Sequence, residues 1–269
     1  MGERNPLDEL RRAVLASSKY HRINPLLVER IGADELAKGR KFKDAVKAVK
    51  NKLHQIGAAY LPGRMDYAAW LASLHSAAQS AEPQALQNAC REVMGYHAST
   101  RERLPILEQF YATVLAGLPP IHSVLDLACG FNPLAIPWMS LAPGAAYFAC
   151  DIYQDMTDFI QSALDFLPVK GEAFSCDLLT QPPDQKVQLA LLLKTIPCLE
   201  QVDKEIGAYL LENINAHYML VSFPIQSLGG KKKGMLANYE THFAALAAGK
   251  DWSVTRFEFA TELAFLVHK

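Results

Sequence analysis

No stretch of this sequence is apolar for long. The longest purely apolar runs, such as residues 189–193, fall far short of the roughly 18 residues a membrane span needs. The first residues, Met1-Gly2-Glu3-Arg4-Asn5-Pro6, open with charge and carry no apolar signal core. Cysteine is sparse. Cys90, Cys129, Cys150, Cys176 and Cys198 are odd in number and far apart, which argues against a disulfide framework or a paired zinc motif. No metal site is expected, no membrane contact is expected, and a reducing cytoplasm is the expected compartment. A charge of one sign is missing too: 27 Lys/Arg stand against 28 Asp/Glu, a net charge of -1. Taken over the whole chain, that figure speaks against a strongly basic nucleic-acid binder.

What is present fits a globular chain. Its 269 residues are 50% hydrophobic and 20% charged. That length suits one large domain or two small ones and is enough to bury a core without disulfides. The neutral charge is a sum of unlike parts. Residues 1–103 carry 17 Lys/Arg and 11 Asp/Glu, whereas residues 104–269 carry 10 and 17. The basic excess is concentrated further: Lys38, Arg40, Lys41, Lys43, Lys47, Lys50 and Lys52 are opposed within their own stretch by Asp44 alone. The same stretch reads as an amphipathic helix, with Phe42, Ala45, Val46, Val49, Leu53 and Ile56 on one face. Lysines on the other face suit a phosphate backbone, although a solvated helix surface produces the same pattern.

The first hundred residues predict helices near 5–19, 25–38, 40–58, 66–79 and 83–97, with Asn24-Pro25 as a helix start. Ser99-Thr100-Arg101-Glu102 predicts a capping box for a helix carrying Leu104, Leu107, Tyr111, Val114 and Leu115. Past Pro120 the pattern changes to strands at 123–129, 145–152, 172–176, 188–193 and 218–223, with helices at 154–167 and 199–215. Alternation of this kind predicts an α/β fold with a parallel, doubly wound sheet. Residues 253–259 and 263–267, separated by Ala260, Thr261 and Glu262, predict an antiparallel hairpin at its edge.

In such a sheet a ligand lies beyond the C-terminal ends of the strands, at the switch point. The loop after the first strand, Asp126-Leu127-Ala128-Cys129-Gly130-Phe131-Asn132-Pro133, lacks both a three-glycine dinucleotide fingerprint and a phosphate-cradling Gly-Lys-Ser/Thr. A ligand without a diphosphate is therefore favoured. Asp151 ends the second strand, where a carboxylate meets ribose hydroxyls, and Asp177 ends the third, where one meets a purine edge. That set suits a nucleoside such as S-adenosylmethionine, although aspartates are common in loops of any α/β fold. Phe131 suits base stacking or packing equally, and Trp138 and Trp252 are expected in the core.

The run from Asp126 to Ala135 resembles the cofactor loop of the aminoglycoside-resistance 16S rRNA methyltransferases of the Arm/Rmt/Sgm type. The likeness extends to Lys52-Leu53-His54-Gln55-Ile56-Gly57-Ala58-Ala59-Tyr60, His97-Ala98-Ser99-Thr100-Arg101-Glu102-Arg103, Leu193-Lys194 with Glu200, Ser222-Phe223-Pro224-Ile225-Gln226-Ser227-Leu228-Gly229-Gly230 with Gly234-Met235, and Thr261-Glu262-Leu263. The stretch Thr195-Ile196-Pro197-Cys198 departs from a run that is often leucine-rich, and Lys231-Lys232-Lys233 is more basic than usual.

The resemblance implies a helical ribosome-docking domain over 1–98 and a Rossmann-like class I S-adenosylmethionine-dependent methyltransferase domain over 99–269. It implies transfer of a methyl group to N7 of an A-site guanine in the assembled 30S subunit, aminoglycoside resistance, a monomer, and S-adenosylhomocysteine as product. It implies that Arg103 holds the methionine carboxylate, Gly130 admits the cofactor, Asp151 binds the ribose and Asp177 the adenine amine. His97, Thr100, Ala128, Ile152 and Leu178 join them as cofactor contacts. Lys194, Glu200 and Glu262 fall on positions important for activity. Lys41, Lys43, Lys47, Lys50, Lys52, Arg101 and Lys231 to Lys233 are the candidate RNA contacts. Two other readings remain at this point: a methyltransferase of another RNA or small molecule, and an RNA-binding relative that has lost catalysis.

Overall fold

The computed structural model describes residues 5–61, 63–226 and 234–269. The triple lysine 231–233, a candidate RNA contact, lies outside the described residues. Helices open the chain: α1 (Pro6–Leu15), α2 (Pro25–Ala37), α3 (Phe42–Ile56), a 3₁₀ turn (Ala58–Tyr60), α4 (Tyr67–Ala78) and α5 (Ala85–Met94). The Asn24 side chain caps α2 by accepting from the Leu26 amide, as the Asn-Pro start signal predicts.

The helix expected after the capping box is broken. It divides into α6 (Ala98–Arg103), a 3₁₀ turn (Leu104–Ile106) and α7 (Leu107–Leu115). Pro105 cannot donate to a helical ladder, and Ser99 provides no cap; His97 occupies the cap position without a side-chain bond. Arg103 ends α6 and is buried.

The rest is one seven-stranded sheet: β1 (Ser123–Leu127), β2 (Ala146–Asp151), β3 (Lys170–Ser175), β4 (Val187–Leu193), β5 (Ala216–Pro224), β6 (Ser253–Glu258) and β7 (Glu262–His268). Their spatial order is β3-β2-β1-β4-β5-β7-β6. The first five pair in parallel and the last two pair antiparallel, so β6 is the edge of the predicted hairpin. Around the sheet lie a 3₁₀ run (Asn132–Trp138), α8 (Gln154–Leu164), α9 (Ile196–Leu199), α10 (Ile206–Asn213) and α11 (Met235–Ala247). The helix expected over 199–215 is thus two pieces, and α11 was not anticipated. Glu262, expected in the hairpin turn, is the first residue of β7 and pairs with Pro224.

The helical layer shares its core with the sheet layer. Tyr67 and Trp70 of α4 meet Phe131 and Phe159 of α8 in one aromatic cluster, with Tyr67 and Phe159 stacked 5.1 Å apart. Phe131 is buried there as packing. Trp138 and Trp252 are only half-buried, each facing a cation, Arg91 and Lys269. Ile23 bridges to Tyr153, and the Asn24 amide donates to the Ile152 carbonyl at 2.8 Å. These bonds fix the start of α2 over the C-terminal ends of β2 and β3. No helix among the described residues is long and apolar enough to cross a membrane.

Candidate active site

A cleft opens beyond the C-terminal ends of the parallel strands, at the switch point between β1 and β4. Its floor is the loop after β1. Ala128 and Gly130 both adopt left-handed backbone there, with φ of 51° and 50°. Gly130 is required twice over: for that φ, and because a Cβ would sit 2.7 Å from the His97 ring. The close neighbour that excludes a side chain is therefore a histidine, whereas the resemblance implied only room for cofactor.

The carboxylates converge as expected. Asp151 accepts from the Gly130 amide at 3.0 Å and from its neighbour Ile152 at 2.7 Å; burial raises its pKa against these bonds. Asp177 caps the turn after β3, accepting from the Leu179 amide and the Thr180 hydroxyl. Asp126, at the base of the cleft, accepts from Asn132 and Tyr147 and is pushed up to about 7 by burial. Ile152, Leu178, Thr100 and Ala128 line the same cleft.

Arg103 enters from α6. Its Nε and Nη2 donate to Glu262 at 3.0 and 2.7 Å, and Nη1 donates to Asn132 at 2.9 Å. Three of its five N–H donors are so used, leaving two for a ligand. Burial alone would raise the Glu262 carboxyl; Arg103 and Lys194 overcome it and hold it below its ordinary value. Lys194 follows β4 with φ of 61°, a strained conformation for a side-chain-bearing residue. Its Nζ reaches Glu102 at 2.9 Å, the Ser99 carbonyl at 3.3 Å and Glu262 at 3.6 Å.

Two buried polar atoms in the cleft, His97 Nδ1 and the Tyr153 hydroxyl, have no partner among the described residues. Orphans of this kind are rare unless a ligand completes them. Burial, helped by Lys194, Arg103 and Arg101, pushes His97 down to about 3, so its ring is neutral. The polar set, the acidic ends of β2 and β3 and the missing phosphate loop together fit a cationic nucleoside.

A second cleft adjoins the first, lined by Glu102, His54, Gln226 and Tyr239 and sharing Tyr60, Lys194 and Cys198 with it. Glu200 and Glu262 line neither. Glu200 binds His242 at 2.9 Å beside α10, and Glu262 stands behind Arg103 and Lys194. Tyr60, Glu102, Asn132 and Cys198 stand within motifs of the sequence without a site role assigned to them, and Tyr153 stands outside those motifs. The Asn132-Pro133 start of the 3₁₀ run was a local signal for one of them; the others depend on contacts between distant segments.

The basic stretch is only partly free. Glu35 of α2, just outside the stretch, is buried and takes Lys38, Arg40 and Lys52 at 2.7, 2.6 and 3.0 Å. Lys52 is thus paired with a buried carboxylate and is 20% exposed, less open than Lys43 and Lys47 of the same helix. Lys41, Lys43 and Lys47 are exposed and Lys50 is half-buried, while Arg101 points outward from α6.

A family model described as "Ribosomal RNA methyltransferase (FmrO)" matches residues 16–266. A 16S rRNA (guanine(1405)-N(7))-methyltransferase of Micromonospora rosea is 37% identical over 265 residues, covering 98% of this chain and 97% of the relative. A protein of the same name from Frankia casuarinae is 38% identical, covering 98% and 94%. The crystal structure of 16S rRNA methyltransferase RmtF in complex with S-adenosyl-L-homocysteine superposes with a TM-score of 0.84 at 29% identity, covering 100% of each chain. With a class I methyltransferase sheet, a nucleoside-shaped cleft and a family match along almost its whole length, the chain belongs to the FmrO family of ribosomal RNA methyltransferases.

Proposed function

We propose that this protein is a 16S rRNA (guanine-N7)-methyltransferase that modifies an A-site guanine in the assembled 30S subunit, at the position its relatives are named for, and so confers aminoglycoside resistance. The observation that carries this reading is the convergence, on one cleft at the switch point, of Asp151, Asp177, two unused Arg103 donors and two orphaned polar atoms. When bound, S-adenosylmethionine supplies a methyl group already activated on a sulfonium.

The chain's residues then have binding and alignment to do. Arg103 holds the methionine carboxylate with its two remaining N–H groups. Asp151 and Asp177 each keep lone pairs beyond the backbone and hydroxyl bonds they accept, for ribose hydroxyls and the adenine amine. The acidic cleft complements the sulfonium charge. Guanine N7 carries a free lone pair at neutral pH, so attack needs no general base, and a neutral His97 is no obstacle. Orientation of two bound reactants is worth about 7–11 kcal/mol in favourable cases. Lys194 and Glu102 stand where the two clefts meet, with Glu102 offering negative charge to a purine that becomes cationic. Glu262 acts as a positioning residue for Arg103 and Lys194. The target base enters the second cleft, flipped from its helix at a cost of a few kcal/mol.

The helical region 1–98 docks on the rRNA through Lys41, Lys43, Lys47 and Lys50, with Arg101 nearer the cleft. The protein acts as a cytoplasmic monomer. Incubation of purified protein with 30S particles and methyl-labelled cofactor tests this reading. Label is expected in 16S rRNA; label confined to small molecules or absent sinks it. Expression in a sensitive host is expected to protect against gentamicin and kanamycin and not against apramycin.

A further inference from the structure

The two clefts meet along a wall, and the residues that line both are Tyr60, Lys194 and Cys198. The same three form one hydrogen-bonded chain. The Cys198 thiol donates to the Lys194 carbonyl at 3.2 Å, and the Tyr60 hydroxyl lies 3.0 Å from the same sulfur. With the thiol's single proton committed to the carbonyl, Tyr60 is the donor to sulfur. Burial pushes the Cys198 thiol up to about 11, so that proton stays in place at neutral pH.

The ends of the chain belong to different parts of the molecule. Tyr60 closes the 3₁₀ turn that follows α3, the helix carrying the free lysines, and its ring is stacked on His97 at 6.0 Å. Lys194 follows the central strand β4 in left-handed backbone, with its ammonium tied to Glu102. Cys198 sits in α9, where its sulfur both donates, to the Lys194 carbonyl, and accepts, from the Tyr60 hydroxyl.

We propose that Cys198 is a positioning residue for methyl transfer. Its sulfur ties Tyr60, carried by the helical layer, to the Lys194 turn, carried by the sheet, and so sets the gap across which cofactor and target base meet. This inference rests on the methyl-transfer reading above. A misplacement of about 1 Å between reactants costs on the order of 100-fold in rate, so a tether at this wall has kinetic weight without touching the reacting atoms.

Three single variants of the full chain test it. Cys198→Ala removes both bonds, Cys198→Ser keeps a donor and an acceptor, and Tyr60→Phe keeps the ring but not the hydroxyl. Single-turnover methylation of 30S particles is expected to slow about tenfold in Cys198→Ala and Tyr60→Phe, and to stay within about twofold of the parent in Cys198→Ser. The double variant is expected to be no slower than either single one, because both remove the same tether. The alanine variant also loses some stability, because it leaves the Lys194 carbonyl and the Tyr60 hydroxyl unpaired, so the diagnostic is the single-turnover rate of folded protein at saturating S-adenosylmethionine, which a merely structural role would leave at the parent value. Cys198→Ala at the parent rate, or a serine variant as slow as the alanine one, overturns the proposal. Amide hydrogen exchange supplies a readout independent of activity: the Tyr60 amide, bonded to the Gly57 carbonyl at 2.9 Å, should exchange faster in Cys198→Ala and not in Cys198→Ser. Unchanged exchange in a protein that methylates 30S particles overturns the tether alone. A parent protein that leaves 30S particles unmethylated overturns the methyl-transfer reading and the role of Cys198 with it.

Discussion

Two buried carboxylates, Glu262 in the sheet and Glu35 in the helical layer, each gather several cations, and they differ in where those cations sit. Around Glu262, Arg103 and Lys194 are themselves buried, at 1% and 4% side-chain exposure. Around Glu35, Lys38 and Arg40 remain about half exposed, at 52% and 47%. The first arrangement takes charges out of water and aims what is left of their bonding capacity into a cleft. The second keeps charges in water and holds a basic surface in shape. A buried ion network orients few groups firmly, whereas a rim network shapes a field that salt can screen.

Breaking the two carboxylates should therefore have unequal results. Glu262→Gln leaves Arg103 and Lys194 buried with no full counter-charge among their nearest partners but Glu102. A loss of about 3–5 kcal/mol is expected from urea unfolding, the usual cost of removing one partner of a buried pair. A loss under about 1 kcal/mol would show that water reaches those cations and would collapse the comparison. Asp151→Asn tests the cleft itself: calorimetry should show S-adenosylhomocysteine binding weakened roughly 10- to 100-fold, the worth of one or two charge-assisted hydrogen bonds, with the fold kept.

Glu35→Gln should cost less, about 1–3 kcal/mol, because its freed cations can hydrate. This site also gives a pH signature. Its neighbouring cations hold Glu35 down to about 2 although burial opposes them. A carboxyl depressed in the folded state stabilises fully above its unfolded value of about 4.3, and the contribution fades as pH falls toward its folded value. The parent should lose its advantage over Glu35→Gln across that acid window and keep it at neutral pH. An advantage that persists unchanged to the acid end would mean that the ion pairs do not supply it.

The smallest effects are expected on the open lysines. Lys43→Ala and Lys47→Ala should each weaken 30S binding and flatten its salt dependence by about one unit of slope. Lys52→Ala should instead lower stability through Glu35 and leave the slope nearly as it was. A Lys52 variant that flattens the slope as much as Lys43→Ala would return Lys52 to the RNA face.

What was legible in the sequence follows from the range of the forces involved. The strand order of apolar runs, the Asn24-Pro25 helix start and the terminal hairpin depend on neighbours a few residues away, and all three appear in the fold. So do Asp151 and Asp177, because a doubly wound sheet delivers strand ends to one place whatever the rest of the chain does. The networks were hidden for the opposite reason. Glu262 is 159 positions from Arg103 and its burial depends on β7 lying inside the sheet. The Tyr60–Cys198 contact spans 138 positions. Glu35 lies three residues before the basic stretch, on α2, so a count within the stretch misses the one carboxylate that pairs with Lys38, Arg40 and Lys52. Pro105 was visible in the sequence, yet only the structure shows that the break it makes follows directly on Arg103 and that Arg103 is buried against Glu262.

The most direct test maps the modified base. Ribosomal RNA from 30S particles treated with the protein and S-adenosylmethionine would be reduced with borohydride and cleaved with aniline, which cuts at N7-methylguanine. A single new break at one A-site guanine, absent without cofactor, is the predicted result. An intact strand, or a modification that stops reverse transcriptase at a neighbouring adenine without aniline cleavage, would contradict the account.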